Sequence, residues 1–239
     1  TTSGIRLQNA FKEFPVIHVA SSAAKTIIEP PIVSEAVKIQ LGEVIEKMNP
    51  KRIGIIGYGH IGKAIANTLA ADGYDIVMNY KTNKEAAKQT SEEILKLKRN
   101  VISIQADLSV DEEVEQMFQT ISNKVDHLDL VVNKAGIDYA KMIEDYTMEE
   151  MRYIVDLVLI AKFSVTKLSL PLLKKSKKPS IINIASRMGK EKTIETIGAY
   201  GPAEAGVIKF TQCCALEFAP YHIRVNCVAP GLTRTELTE

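Results

Sequence analysis

The sequence predicts an α/β fold, a doubly wound parallel sheet covered by helices and preceded by an N-terminal strand-helix extension. Three observations carry this expectation. From residue 51 onward, short β-branched runs alternate with longer amphipathic segments, the order that a parallel sheet with crossover helices requires. The runs are almost continuously apolar, as strands buried on both faces must be. A glycine motif, G-x-G-x-x-G, separates the first of these runs from the first helical segment.

Residues 1–50 form the extension. "PVIHVA" (15–20) is a short strand candidate, and residues 29–48 place Val33, Val37, Leu41, Val44 and Met48 on one helical stripe, with Pro31 suited to its first turn. Fifty residues make a marginal domain alone, so this segment is expected to pack on the main sheet, where "PVIHVA" can serve as an edge strand. Residues 51–239 form the main domain. Its strands are expected at 52–57, 75–80, 101–106, 128–133, 180–185 and 223–229. "IGKAIANTLAADG" reads as a helix stopped by Gly73, and "DEEVEQMFQTISNKV" carries acids in its first turn and apolar residues at helical spacing. "TMEEMRYIVDLVLIAKFSVTKLSLPLLKK" (147–175) reads as one long buried helix, bent or ended around Pro171. In "AYGPAEAGVIKF" (199–210), proline disfavours a helical residue before it, so this helix is expected to begin at Pro202 with Tyr200 on the preceding turn.

Composition narrows the partners. Thirty basic and twenty-nine acidic residues give a formal charge of +1 over 239 residues, so bulk electrostatics favour neither nucleic acid nor an anionic membrane. No uninterrupted apolar run approaches the roughly 18 residues of a membrane span, and the N-terminal stretch lacks the apolar core of a signal peptide, which predicts a cytoplasmic protein with a small-molecule partner. Cys213, Cys214 and Cys227 have neither the number nor the spacing of a disulfide framework or zinc site and read as reduced; the four scattered histidines give no support to a metal site.

The glycine motif consists of Gly57, Gly59 and Gly62. The first glycine permits a tight turn, the second admits a pyrophosphate close to the backbone, and the third lets helix and strand pack closely. The helix opening at Ile61 and Gly62 would receive the phosphates on its N-terminus, a Rossmann-type dinucleotide site. An acid about twenty residues on would bind the ribose of NAD. The second strand instead ends in "NYKTNK", where Lys81 and Thr82 can meet a 2′-phosphate, so NADP is preferred over NAD. The plainer alternatives are a glycine turn needed only for packing and a solvated face of lysines.

With these segments in order, the chain from about Lys51 to Glu239 resembles the short-chain dehydrogenase/reductase family. The resemblance lies in "VISIQADLSVDEEVEQMF", "HLDLVVNKAGI", "SIINIASRMG" and "AYGPAEAGVIKFTQCCALEFAPYHIRVNCVAPGLTRTE". It implies NAD(P)-dependent carbonyl or alcohol redox chemistry with an Asn-Ser-Tyr-Lys catalytic set. Ser186 matches the carbonyl-polarising serine, and Tyr200, fourteen residues later, matches the proton donor. Asp107 and Leu108 match the adenine-contacting pair; Asn133, Lys134, Ala135 and Gly136 fall on the N-N-A-G motif; Thr233 falls in the segment near the nicotinamide amide and phosphates. Family members often assemble through helices flanking the active site, which implies a homodimer or homotetramer.

The departures are specific. The family spaces its glycines G-x-x-x-G-x-G. Val158 stands where the catalytic asparagine is expected, Lys134 replaces the second asparagine of N-N-A-G, and Glu204 replaces the catalytic lysine. The sequence also stops at "GLTRTELTE", where members usually continue into a substrate-covering segment and a seventh strand. A carboxylate beside a phenol makes its ionisation harder, the reverse of what a lysine does. Lys134 and Glu204 would both lie near the nicotinamide ribose, as a charge-swapped pair. The sequence therefore leaves three functions open: an NADP(H)-dependent carbonyl reductase, a catalytically lapsed dinucleotide-binding protein acting as sensor or assembly subunit, and a lyase or isomerase using the tyrosine.

Overall fold

A computed structural model describes residues 17–18, 51–56, 60–190 and 193–230, with side-chain environments from Gly62 onward. The helix expected over 29–48, Gly57, Gly59 and Thr233 lie outside the described residues, as does the side chain of Ile61.

Seven parallel strands form one sheet: β1 (Ile17–His18), β2 (Lys51–Ile56), β3 (Tyr74–Tyr80), β4 (Val101–Gln105), β5 (Leu130–Asn133), β6 (Ser180–Ile184) and β7 (Arg224–Ala229). Their spatial order is β1-β7-β6-β5-β2-β3-β4. The chain moves outward from β2 through β3 to β4, then crosses to β5 on the other side of β2, where Ile56 pairs with Asn133. That reversal opens the crevice in which doubly wound sheets bind ligands, at the C-terminal ends of the strands. The expected edge strand is present: Ile17 and His18 pair with Val228 and Ala229.

The strands alternate sides although both sides are apolar. Ile76 and Met78 of β3, Val132 of β5 and Ile182 of β6 pack in one layer with Ile65 and Leu69 of α1 (His60–Ala71) and Ile94 of α2 (Lys84–Lys96). Val77, Val131, Ile181 and Val225 point the other way. They meet Val114 and Phe118 of α3 (Asp111–Lys124), Val165 of α5 (Ala161–Leu173) and Phe210 of α6 (Tyr200–Glu217). Double-sided burial is why these strands read as continuous apolar runs rather than alternating ones.

Local signals fix the helix ends. The Asn83 side chain accepts from the Ala86 N–H at 3.0 Å to cap α2. Thr147 and Glu150 form a reciprocal capping box at α4 (Met148–Val155), satisfying two otherwise free N–H groups. The long 147–175 segment ends close to Pro171, as expected: the proline lies within the last turn of α5, which stops at Leu173. Its irregularity is a π-helical stretch, Asp156–Ile160, between α4 and α5. The start of α6 also differs from expectation: the helix begins at Tyr200, with Gly201 N–H bonded to Ile197 O at 2.9 Å. The pre-proline restriction comes largely from a clash with Cβ, which Gly201 lacks, and Pro202 falls in the first turn, where a missing N–H leaves no bond unmade.

Candidate active site

The nominated residues gather at the C-terminal ends of β3 and β4 on one side of β2 and of β5 and β6 on the other. Lys81 follows β3, Asp107 and Leu108 follow β4, Asn133 ends β5 with Lys134, Ala135 and Gly136 after it, and Ser186 follows β6.

On the β3–β4 side, Lys81 Nζ lies 2.6 Å from Asp107 Oδ2 and donates to the Tyr153 hydroxyl at 2.8 Å. The two residues expected to meet different parts of a nucleotide thus touch each other. Asp107 also accepts from the Ser109 N–H at 3.0 Å and its hydroxyl at 2.7 Å. Burial pushes the Asp107 carboxyl up, but Lys81 and Ser109 outweigh it and hold the group below its ordinary range. The Lys81 ammonium is stabilised above its ordinary value, chiefly by the bonds to Asp107 and Tyr153. Thr82 is exposed, and Leu108 is buried against the sheet.

In the centre, Asn133 donates to Asn183 Oδ1 at 2.8 Å and Thr166 Oγ1 at 3.2 Å. Asn183 continues to Thr211 Oγ1 at 2.9 Å, which donates to Val207 O at 2.8 Å. This buried row ties β5 and β6 to α5 and α6, leaving Asn133 Oδ1 without a hydrogen-bond partner. Gly136 packs against Val158, whose Cγ2 would lie 3.6 Å from a Cβ added there.

On the β6 side, Ser186 caps the short turn Arg187–Gly189, its Oγ accepting from the Met188 N–H at 3.2 Å. The side chains of Ser186 and Glu204 both approach the phenol of Tyr200. Burial, then the Glu204 charge and hydrogen bonding, push that phenol well above its ordinary value, while Ser186 opposes them and Asp138 adds to them. Two glycines permit this closeness. A Cβ on Gly189 would stand 2.5 Å from the Ala205 backbone nitrogen, and one on Gly206 2.8 Å from Leu159 Cδ2 in the π-helical stretch.

Glu204 is buried, with Oε2 lacking a hydrogen-bond partner. Burial raises its carboxyl; Lys162, Tyr200, Lys134 and the Ser186 backbone oppose that shift, in descending order. Burial lowers the Lys134 ammonium, and the Glu204 charge opposes that shift. The larger opposing charge is Lys162, which the sequence reading did not single out. Its Nζ donates to Ala135 O and to Val158 O, each at 2.7 Å. Burial brings Lys162 down to about 8, with Glu204 opposing and Lys134 assisting. The available signal was a lysine inside the apolar run "DLVLIAKFSV", four residues after Val158 and so on the same helical face. Asp138 was also missed: its Oδ1 is buried without a hydrogen-bond partner, and burial raises its carboxyl.

Among the described residues, no group of three or more His, Cys, Asp or Glu side chains is placed to hold a metal, and no helix is long and apolar enough to cross a membrane.

A parallel doubly wound sheet with a serine-tyrosine pair at its C-terminal edge defines a nucleotide-dependent oxidoreductase scaffold. The short chain dehydrogenase family profile matches residues 51–239, and the chain belongs to that family. A 3-oxoacyl-[acyl-carrier-protein] reductase of Synechocystis is 37% identical over 179 residues, 75% of this chain and 72% of that protein. The corresponding reductase of Aquifex aeolicus is 34% identical over 74% of this chain and 71% of its own length. Among solved structures, a Burkholderia cenocepacia short chain dehydrogenase in complex with NADP superposes with a TM-score of 0.74 at 30% identity, covering 78% of this chain and 76% of that one. The Pseudomonas aeruginosa RhlG/NADP complex gives 0.74 at 28% identity, over 80% and 76%.

Proposed function

We propose that this chain is an NADP(H)-dependent reductase of a ketone or aldehyde, with Ser186 polarising the carbonyl and Tyr200 donating the proton. The observation that carries this reading is the approach of the Ser186 side chain to the Tyr200 phenol at the ligand-binding edge of the sheet. Two hydroxyls at one carbonyl oxygen supply a hydrogen bond and a proton as negative charge develops there.

The donor set fits a nicotinamide dinucleotide. Lys81 and Asp107 lie together at the ends of β3 and β4, and residues 133–136 follow the central strand β5. Lys81 favours NADP, because its ammonium can exchange Asp107 for a 2′-phosphate; Asp107, Leu108 and the backbone at 133–136 would hold the adenosine side. When bound, the cofactor supplies hydride to the carbonyl carbon. The raised Tyr200 phenol stays protonated at neutral pH, which suits a donor and disfavours the reverse oxidation. A 3-oxoacyl thioester is the first substrate class to test, on the strength of the relatives' activities. By family resemblance the protein is a cytoplasmic homodimer or homotetramer, with residues 1–50 an extension of the domain at 51–239.

A second reading, a dinucleotide-binding protein without turnover, is favoured by Glu204 and Val158 at the family's lysine and asparagine positions. Fluorescence titration with NADPH and NADH, followed by NADPH oxidation with 3-oxoacyl thioesters and simple ketones, separates the two. The expected result is tighter NADPH binding and carbonyl-dependent oxidation. Binding with no turnover selects the second reading, and binding of neither nucleotide overturns both.

A further inference from the structure

We propose that Lys162 is a positioning residue for Tyr200: its ammonium, anchored by the Ala135 and Val158 carbonyls, faces the Glu204 carboxyl and sets the protonation of the acid that backs the phenol. The family likeness places the helper cation four residues after the tyrosine, and this chain has an acid there. The positive charge instead enters from the neighbouring helix. Three features place it. The π-helical stretch ends at Ile160 and Val158 O accepts from Lys162 Nζ, so the irregular turn and the lysine meet. Gly206 lets α6 close on Leu159 of that stretch. Lys162 and Glu204 are 2% and 4% exposed, so water screens neither charge strongly.

Two carbonyl acceptors supply a reason for the ammonium to remain charged in a dry site, and Glu204 Oε2, without a hydrogen-bond partner, is free to take or give a proton. During reduction, the Tyr200 O–H bond breaks as the substrate oxygen gains its proton. The Glu204 O–H bond then breaks to restore the phenol, and the carboxylate left behind faces Lys162 until water reprotonates it. Hydride and its electron pair come from the reduced nicotinamide; this substrate step alone rests on the reductase reading. The groups facing Glu204 are Lys162 from α5, Lys134 from the segment after β5, Tyr200 from α6 and Cys227 from β7, with the Ser186 backbone completing the set.

The test follows the carbonyl stretch of a protonated Glu204 by infrared pH titration of the full chain, assigned by its loss in Glu204→Gln. Removing a nearby cation makes a carboxylate harder to form, so Lys162→Met is expected to move the Glu204 midpoint upward by about 1 unit or more. Lys162→Gln, which can still donate to the two carbonyls, gives the same shift if Lys162→Met does not fold. A midpoint unmoved in the folded variant overturns the inference, whether or not the parent turns over. Turnover is read separately and judges the reductase reading. In an active parent, Glu204→Gln is expected to lower kcat roughly 10²-fold with KM little changed.

Discussion

Two lysine-carboxyl pairs lie at the same edge of the sheet and behave in opposite ways. Lys81 and Asp107 touch at 2.6 Å with side chains 46% and 20% exposed. There the lysine is raised and the acid lowered, so both charges are reinforced. Lys162 and Glu204 are buried, and there the lysine is lowered and the acid raised, each towards neutrality. The chemistry of the partners is the same. Burial and contact together make the difference: desolvation penalises the charged forms, and the 2.6 Å ion pair of Lys81 with Asp107 offsets it at the first pair. The exposed pair is suited to holding an anion and the buried one to exchanging protons.

The largest effect that would sharpen this contrast is Tyr200→Phe. It removes the proton donor beside the buried pair and leaves the exposed pair intact, so turnover is expected to fall by roughly 10² to 10⁴-fold with NADPH affinity unchanged. Parallel kinetic and fluorescence titrations check it.

Next is the pH dependence of stability at Lys162. Its folded value is about 8 against 10.5 for the free side chain, so between those values the unfolded chain binds more protons and the parent gains stability as pH rises. Lys162→Met lacks that gain. Its stability relative to the parent is therefore expected to fall across this window, by up to ~3 kcal/mol. Urea unfolding of both proteins at several pH values measures the difference, and parallel curves would place Lys162 outside the buried pair.

Gly189→Ala comes third. The added Cβ would meet backbone at 2.5 Å, so the turn after Ser186 and the first turns of α6 must part. A stability loss of about 1–3 kcal/mol is expected by thermal unfolding, with weakened turnover because Ser186 and Tyr200 separate. The smallest effect belongs to the exposed pair: Lys81→Ala should change stability by only ~0–1 kcal/mol. It should nevertheless weaken NADPH binding about tenfold or more while sparing NADH, since a charge-assisted bond to phosphate is lost. Equal losses for both cofactors would remove Lys81 from the phosphate site.

Much of the architecture was legible along the chain. Continuous apolar runs marked the six main strands because both faces of β3, β5 and β6 are covered, and Ser186 and Tyr200 were marked by ordered motifs. One expectation about the helices held and one failed, each for a local reason. The last helix of the 147–175 segment does end beside Pro171, whereas α6 starts earlier than expected because Gly201 escapes the restriction that proline imposes on residues with a Cβ. The π-helical stretch at Asp156–Ile160 left no comparable trace along the chain.

The sequence by itself determined the sheet, the family and the unusual acid at position 204, because periodicity, turn chemistry and motif order are properties of neighbouring residues. Only the tertiary structure decided what faces that acid. Lys162 and Glu204 sit on separate helices, and nothing in their spacing along the chain reports that two helices close together and exclude water between them. Charge and pKa depend on distance and burial, which exist only once the chain has folded.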